Sequence, residues 1–400
     1  MERATRWFFS LLLFWLAFLP AQIRAETNSS SETHFPLLPG LETAVDFWKK
    51  IFTEYTTSQL VFFDPLEMST IYEVAEVGED DRTRGFINNE RERIAAAHGV
   101  NIERVQAQRG IKERTIAGLQ RSGRYMTQMQ QIFRERDLPI ELTYLPLVES
   151  SFDVNARSYA GALGMWQFMR ATGRQFLHIS RHIDERRDPI ESARAAASLL
   201  NQNYETLGNW PLAITAYNFG AAGLARAVAQ LESDNLVKII QIYKHPSWGF
   251  APKNFYAEFL AAKEIATNMD RYFPGIEIDP PLALREVELK KPTSVSALLK
   301  TTGVSRDEFL EWNPALSRRI RFVPPGYRVK VPAAHKTQAI IAAQRQPQEP
   351  ALVRHRVRRG ETLSHIARRY GASLETILEI NGLSRPNFVR AGTMLLIPKF

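Results

Sequence analysis

The pattern of apolar and polar residues divides the chain into regions of different periodicity. Near the beginning, Trp48, Phe52 and Tyr55 follow one another at intervals of four and three, which predicts a helix with an aromatic face turned to a core. The apolar run at 60–63 has the length and composition of a short buried strand. We expect the segment 26–121 to form a mainly helical extension.

The segment 122–275 predicts a compact helical domain. Asp188 supplies an N-cap, Pro189 the first helical position and Glu191 the third, which marks the start of a helix. The alanine-rich sequence that follows continues this helix, and the Asn-Trp-Pro segment 209–211 breaks the chain before the next one.

Beyond residue 280 the sequence changes to short apolar runs separated by turns, and it repeats itself. The copies occupy 285–333 and 353–399, and each predicts a strand, two short helices and a second strand. Between them, 334–352 is rich in Ala and Gln and reads as a linker. The expected fold class is therefore multidomain: a mainly α domain with a helical extension, followed by small α+β (βααβ) modules.

Charge is distributed unevenly between these regions. The net charge of the whole chain is +8. Residues 281–400 contain 21 Lys and Arg and 9 Asp and Glu, whereas residues 1–280 contain 30 Lys and Arg and 34 Asp and Glu. The basic C-terminal part predicts an anionic partner, either nucleic acid or a polyanionic envelope. Cysteine is absent from the sequence, which excludes disulfides, thiolate metal sites, thiol nucleophiles and a lipid-modified cysteine.

The N-terminal segment favours the envelope. Arg3 and Arg6 precede an apolar run at 7–19, and small residues follow, so 1–25 has the organisation of a secretory signal peptide. We expect an exported protein of the periplasm or cell envelope that is not a lipoprotein and has no nucleic-acid partner. The alternative is a signal peptide that is not cleaved. Membrane contact is expected to be peripheral, or to be made through that uncleaved signal.

Candidate chemistry centres on Glu149, which lies in an apolar segment between Leu145 and Phe152. Such surroundings disfavour the charged carboxylate and suit a general acid, although a solvated or capping glutamate is the simpler interpretation of this residue alone. Gln167 follows a glycine-bounded turn and offers a donor and an acceptor to a sugar substituent. Tyr217 can present its ring to a sugar and its hydroxyl to the acid. For each of these two motifs taken alone, a structural role is the simpler interpretation: a glycine pair that packs between helices, and a tyrosine in the core.

Taken together, these motifs resemble the family 1 (Slt-type) lytic transglycosylases over about 125–275. The resemblance is carried by Glu149-Ser150-x-Phe152, by Ser158, by Gly161-Ala162-x-Gly164-x-x-Gln167-x-Met169 and by Ala216-Tyr217-Asn218. It implies a lysozyme-like helical fold that cleaves the β-1,4 bond between N-acetylmuramic acid and N-acetylglucosamine in peptidoglycan.

The resemblance also implies roles for individual residues. Glu149 is the expected catalytic acid and base. The residues expected at the substrate are Ser158, Gln167, Met169 and Tyr217, with Ser150 and Asn218 bracing the site. No cofactor or metal is expected.

The motifs contain one carboxylate, whereas a conventional glycosidase uses two. A single carboxylate favours non-hydrolytic cleavage, in which the muramoyl C6 hydroxyl closes a 1,6-anhydro ring. The sequence offers Asp153, Asp184, Glu185 and Asp188 as candidates for a second carboxylate. Lysozyme-type hydrolysis and a non-catalytic peptidoglycan-binding protein are the alternatives.

The C-terminal repeat resembles a LysM module, because Val357-x-x-Gly360-Glu361-Thr362-Leu363 is followed by Asn381-Gly382 and Ile397-Pro398. Such a resemblance implies contact with N-acetylglucosamine-containing glycan strands of peptidoglycan. The copy at 285–333 is degenerate, since Lys291-Pro292-Thr293 replaces Gly360-Glu361-Thr362.

Overall fold

The computed structural model describes residues 34–78, 84–333, 351–384 and 389–399. The predicted signal peptide and linker residues 334–350 lie outside the described residues. Within the described ranges, none of the helices combines the length and apolar character needed to cross a bilayer.

The N-terminal region combines three helices with an antiparallel sheet. Its elements are α1 (Glu42–Thr53), β1 (Gln59–Phe63), β2 (Ile71–Glu76), α2 (Arg84–His98), β3 (Gln106–Arg109) and α3 (Lys112–Ser122). The strand order is β2-β1-β3, so β1 is central. Leu60 and Phe62 pack towards α2, whereas Val61 and Phe63 join the main core. A strand covered on both faces needs an unbroken apolar run, which explains the sequence at 60–63.

The predicted aromatic helix face is confirmed for Trp48 and Phe52, which are buried in α1, whereas Tyr55 lies two residues beyond the end of this helix and is partly buried. The strand predicted at 60–63 is confirmed as well. Two strands were not predicted, and the extension is therefore α+β. In β2 most side chains are partly or fully exposed, and the four residues of β3 carry one apolar side chain, so neither segment shows a clear apolar alternation.

Helices of the central domain surround a core shared with α1 and β1. They are α4 (Met126–Arg134), α5 (Leu145–Ser150), α6 (Arg170–Gly173), α7 (Pro189–Leu207), α8 (Trp210–Phe219), α9 (Ala221–Leu231), α10 (Leu236–Ile242), α11 (Phe250–Thr267) and α12 (Met269–Tyr272). The predicted start of α7 is confirmed, because the Asp188 carboxylate accepts hydrogen bonds from the backbone N–H groups of Ile190 (3.0 Å) and Glu191 (3.1 Å).

The two C-terminal copies share the order of outer strand, two helices and outer strand, to which the first copy adds two short inner strands. The first copy contains β4 (Leu284–Glu288), β5 (Thr293–Ser294), α13 (Val295–Thr302), α14 (Arg306–Trp312), β6 (Phe322–Val323) and β7 (Arg328–Pro332). The second copy contains β8 (Ala351–Arg356), α15 (Leu363–Tyr370), α16 (Leu374–Ile380) and β9 (Met394–Lys399). The outer strands pair antiparallel in each copy, β4 with β7 and β8 with β9. The predicted strand–helix–helix–strand order is confirmed in the second copy, whereas the first copy adds the pair β5 and β6, which was not predicted. Strand β8 begins at Ala351, inside the segment predicted as linker.

A buried ion pair joins the first copy to the central domain. The Lys330 Nζ lies 2.6 Å from a carboxylate oxygen of Asp188, the N-cap of α7, and both side chains are almost completely buried. Glu191 and Glu286 lie 3.9 and 3.8 Å from the same ammonium group. Glu191 and Glu286 also pair with Arg194 and Arg328, so the ammonium group matters most for the buried carboxylate of Asp188.

We expect Lys330→Met to lower the free energy of unfolding by about 3–5 kcal/mol, because it leaves the Asp188 carboxylate buried without its cation. Urea titration followed by tryptophan fluorescence measures the change. The matched control is Lys290→Met, which breaks the exposed pair with Glu288 and should cost less than about 1 kcal/mol. Equal losses in the two variants would contradict a special role for the buried pair.

Candidate active site

Glu149 occupies the last turn of α5, and the chain leaves that helix in an unusual conformation. Ser151 and Phe152 have φ values of 50° and 58°, in the left-handed region that non-glycine residues seldom adopt. Their backbone N–H groups donate to the carbonyls of Leu147 (3.3 Å) and Pro146 (3.1 Å). Two consecutive strained residues, two positions after a glutamate, are typical of a functional site.

Neighbouring segments hold this helix end in place. The Ser150 hydroxyl donates to the Met165 carbonyl at 2.7 Å, and the Arg121 guanidinium donates to the Ser151 carbonyl at 2.7 Å. Gly118 of α3 lies directly against Ser151, because a Cβ at this position would stand 2.8 Å from the Ser151 carbonyl oxygen. The position of Glu149 is thus fixed by backbone contacts on two sides.

The Glu149 side chain is partly buried, and within the described ranges its carboxyl group makes no hydrogen bond or ion pair. Burial raises the pKa of this carboxyl to about 8, and the nearby charge of Glu258 adds to the increase. A carboxyl group with this pKa carries its proton at neutral pH, as a general acid must.

Glu258 is a second carboxyl group beside Glu149, and it corrects the expectation that the acid stands alone. It lies on α11, which packs against α5, and burial raises its pKa to about 8. Asn254, Ala261 and Ala262, about one turn away, are buried, so Glu258 lies on the core-facing side. A lone acidic residue on the apolar face of a helix was the signal that could have identified it.

The carboxylates proposed from sequence as possible second acids have structural partners elsewhere. These partners are the backbone N–H of Asn155 for Asp153, Arg186 for Asp184, the backbone N–H of His178 for Glu185, and Lys330 for Asp188. None of the four is among the charges that shift the pKa of Glu149, whereas Glu258 is.

The glycine-bounded segment 161–169 forms the wall that faces the end of α5. Gly161 and Gly164 have φ values of 90° and 81°. At Gly164 a Cβ would overlap the backbone oxygen of Arg186, whereas at Gly161 no atom lies within 4 Å of that position. Both positions thus need glycine for conformation, and Gly164 also needs it for space.

Arg186 holds this wall through hydrogen bonds, a role that the sequence analysis did not predict. Its buried guanidinium donates to the carbonyls of Gly161 (3.2 Å) and Phe168 (3.1 Å) and pairs with Asp184 at 2.8 Å. A buried charge with all its partners in place fixes the conformation of the segment it holds. Because the segment that Arg186 holds is contacted through backbone carbonyls distant in sequence, no local motif marks this role.

Two predicted substrate residues line this wall. Gln167, at φ 47°, donates through its amide to the carbonyls of Gly164 (2.8 Å) and Ala156 (3.2 Å), which leaves the amide oxygen as an acceptor. The Ser158 hydroxyl accepts the backbone N–H of Ala162 at 2.9 Å and can still donate its own proton. Both side chains combine a structural contact with an unused polar function.

Tyr217 lies between the wall and the acid. Its hydroxyl donates to the Trp166 carbonyl at 2.8 Å, so the structure directs this proton to the backbone. Burial and the charge of Glu149 raise the pKa of Tyr217 well above its usual value, which places the phenol in the electrostatic environment of the acid. Asn218 is exposed, as is Met169 at 44% of its surface.

The fold and the motifs define a recognisable combination of domains. Residues 129–239 match the family model of the Transglycosylase SLT domain, and residues 355–398 match that of the LysM domain. The chain therefore contains an SLT domain and a LysM domain. Glu149, Gln167 and Tyr217 lie inside the SLT match, whereas Glu258 lies beyond it.

Among relatives, membrane-bound lytic murein transglycosylase D of Escherichia coli (strain K12) is 29% identical over 294 residues, which cover 68% of this chain and 63% of that protein. The putative tributyltin chloride resistance protein of Alteromonas sp. (strain M-1) is 36% identical over 110 residues, 27% of this chain and 53% of that protein. The matches thus span less than two thirds of these relatives. The solved 70 kDa soluble lytic transglycosylase Slt70 of Escherichia coli aligns with 38% of this chain and 25% of its own at 20% identity, with a TM-score of 0.30.

Proposed function

We propose that the protein is a peptidoglycan lytic transglycosylase that cleaves the β-1,4 bond between N-acetylmuramic acid and N-acetylglucosamine and leaves a 1,6-anhydromuramoyl end. The observation that carries this proposal is Glu149, a carboxyl group without a hydrogen-bonding partner in the described structure, with its pKa raised to about 8. The SLT and LysM matches and the name of the Escherichia coli relative support the choice of peptidoglycan as substrate.

In the first step the protonated Glu149 donates to the glycosidic oxygen as the bond breaks. Positive charge then develops at the muramoyl C1, and the substrate's own N-acetyl group stabilises it. Gln167 and Ser158 are proposed to hold that substituent, since each keeps an unused polar function at the wall. Tyr217 and Met169 provide the neighbouring surface, and Ser150 and Asn218 complete the site.

In the second step Glu149, now ionised, removes the proton of the muramoyl C6 hydroxyl, whose oxygen attacks C1. This hydroxyl belongs to the same sugar, and the high effective concentration of an intramolecular nucleophile removes the need for an activated water. A pKa of about 8 suits both steps, because the group is protonated at the start and a competent base once ionised.

Glu258 does not convert this site into a two-carboxylate hydrolase. A nucleophile or water-activating base must be ionised at working pH, whereas burial keeps the Glu258 carboxyl largely protonated at neutral pH and lets it ionise only around pH 8. We assign it a positioning and electrostatic role beside Glu149. When Glu258 loses its proton, its negative charge raises the pKa of Glu149.

The LysM module is proposed to hold the enzyme on glycan strands that contain N-acetylglucosamine. Such tethering raises the local concentration of enzyme without changing the active site. The excess of positive charge in 281–400 adds attraction to an anionic wall, which salt would weaken. This role requires export to the periplasm or cell envelope, as the N-terminal sequence suggests.

Product mass separates the proposed reaction from its alternatives. Incubation with purified peptidoglycan sacculi should release muropeptides that are lighter by one water than hydrolysis products, as measured by mass spectrometry. Products that retain the water would establish lysozyme-type hydrolysis instead. Binding to sacculi with no soluble product at any pH would indicate a non-catalytic wall-binding protein.

The pH profile tests the coupling between the two carboxyl groups. Activity should fall as pH rises through about 8, since Glu149 loses its proton there. In Glu258→Gln the midpoint of this alkaline fall should move to lower pH, because the neighbouring negative charge that raises the pKa of Glu149 is gone. The rate of release of soluble product between pH 5 and 9 measures the midpoint.

The matched control is Asp153→Asn, which removes the carboxylate nearest to Glu149 in sequence while preserving a side-chain oxygen for its turn. Its alkaline midpoint should coincide with that of the wild type. A midpoint in Glu258→Gln that stays in place or moves to higher pH would contradict the coupling.

A further inference from the structure

Three potential metal ligands from distant parts of the sequence converge at the junction of the central domain with the C-terminal modules. His182 lies in the loop between α6 and the 3-10 helix Glu185–Arg187, whereas Glu375 and Glu379 lie one turn apart on α16. The His182 Nε2 is 2.6 Å from a Glu375 carboxylate oxygen and 3.3 Å from one of Glu379. The three ligand atoms lie within 4.8 Å of one another.

The first repeat fixes the orientation of the imidazole. The His182 carbonyl accepts the backbone N–H of Ser317 at 2.8 Å, and the His182 Nδ1 lies 2.9 Å from the Ser317 hydroxyl. A contact of this kind at Nδ1 is how metal-binding histidines are oriented, since it leaves Nε2 free to bind a cation. Nε2 faces both carboxylates, and the ring carries its proton on Nε2 or on Nδ1. With the proton on Nδ1, an electron pair on Nε2 meets electron pairs on two oxygens.

In that tautomer a cation between the three ligands stabilises the cluster, in addition to the charges of Arg181 and Arg321 that act on Glu375. A proton on Nε2 bonds well to one carboxylate, whereas a divalent cation can bind all three groups. His182 is 6% exposed and the Glu379 side chain also 6%, so water compensates them poorly. Arg181 lies 3.3 Å from Glu375, but its side chain is 71% exposed, and the backbone N–H of Arg321 serves the second oxygen of Glu379 at 3.3 Å.

A cavity of about 310 Å³ adjoins the three ligands, and His182, Glu375 and Glu379 all line it. It has room for water to complete a coordination sphere. His178 lines the same cavity, and its Nε2 is buried without a hydrogen-bond partner in the described structure. A buried nitrogen without a partner is costly unless a water or an ion serves it.

We propose that His182, Glu375 and Glu379 form a binding site for a divalent transition-metal ion, with zinc as the best fit, that fastens the LysM module to the central domain. One imidazole nitrogen and two carboxylates, with a position left for water, suit zinc. Calcium takes six to eight oxygen ligands and fits this set poorly. The site is distinct from Glu149 and does not depend on the glycan reaction.

Metal binding by the full chain tests this proposal. Protein stripped with a chelator and dialysed against Zn²⁺ should bind one ion per chain at this site, measured by atomic absorption. Glu375→Gln and His182→Ala should weaken that binding by about 100-fold or more. Ser317→Ala, which removes the contact at Nδ1, should weaken it by about 10-fold.

The matched control is His365→Gln, which removes an exposed histidine from α15 and should leave the stoichiometry and affinity unchanged. Because Glu375 is 43% exposed, its variant should fold, and circular dichroism verifies this. The proposal would be overturned if the wild type bound no stoichiometric zinc up to millimolar concentration. Equal affinity in the wild type and Glu375→Gln would overturn it as well, since the zinc would then be held elsewhere.

Discussion

Glu149→Gln should reduce the release of soluble muropeptides by about 100- to 10,000-fold while leaving binding to sacculi intact. The amide keeps the shape of the side chain but cannot donate the proton that the leaving oxygen requires, and general acid–base catalysis contributes a factor of this size. Rates of product release from purified sacculi measure the effect, and co-sedimentation measures binding. Glu135→Gln is the control, since it changes an exposed carboxylate on the same domain.

Stability measurements separate lost chemistry from lost folding. The Glu149 pKa is about 8 in the folded protein and about 4.5 when unfolded, so the unfolded state releases this proton first as pH rises. Wild-type stability from this group is complete below pH 4.5 and is lost progressively up to pH 8. Glu149→Gln should therefore be more stable than the wild type at pH 8, by about 1–3 kcal/mol, and equal to it at pH 4.

An inactive Glu149→Gln protein with this stability profile supports the assigned chemistry. Activity near that of the wild type would remove Glu149 from the mechanism. An inactive variant that is also less stable at every pH would instead indicate that the glutamate maintains the end of α5.

The second large effect is expected at the wall of the site. Gly164→Ala should lower the free energy of unfolding by about 3–5 kcal/mol and abolish activity, because a Cβ there overlaps the Arg186 backbone oxygen and the φ of 81° disfavours a side chain. Relief of that overlap would displace the segment that carries Gln167. Urea unfolding followed by tryptophan fluorescence, together with product release, measures both consequences.

Gly161→Ala is the matched control, because Gly161 has a similar φ of 90° but open space around its Cβ position. It should cost only about 1–2 kcal/mol, the strain of a left-handed alanine. A similar loss in both variants would show that backbone strain, and not the close approach of Arg186, makes Gly164 necessary.

Several structural features could be predicted from local sequence because their physical causes are local. The start of α7 follows from a cap, a proline and a glutamate within four residues. The strand at 60–63 follows from an apolar run, and the βααβ order of each C-terminal copy follows from its turns. Strands β2 and β3 could not be predicted in this way, because pairing with β1 and not their own pattern stabilises them.

The sequence by itself determined the candidate acid, the motifs around it and the repeated modules, since spacing within one segment sets which side chains share a helix or a turn. Only the tertiary structure decided the neighbours of that acid. Packing of α11 on α5 brings Glu258 to Glu149 across more than one hundred residues, and Arg186 reaches the wall from a separate loop. The same holds where His182 meets α16, because contacts between distant segments depend on how whole elements pack and leave no periodic trace in the sequence.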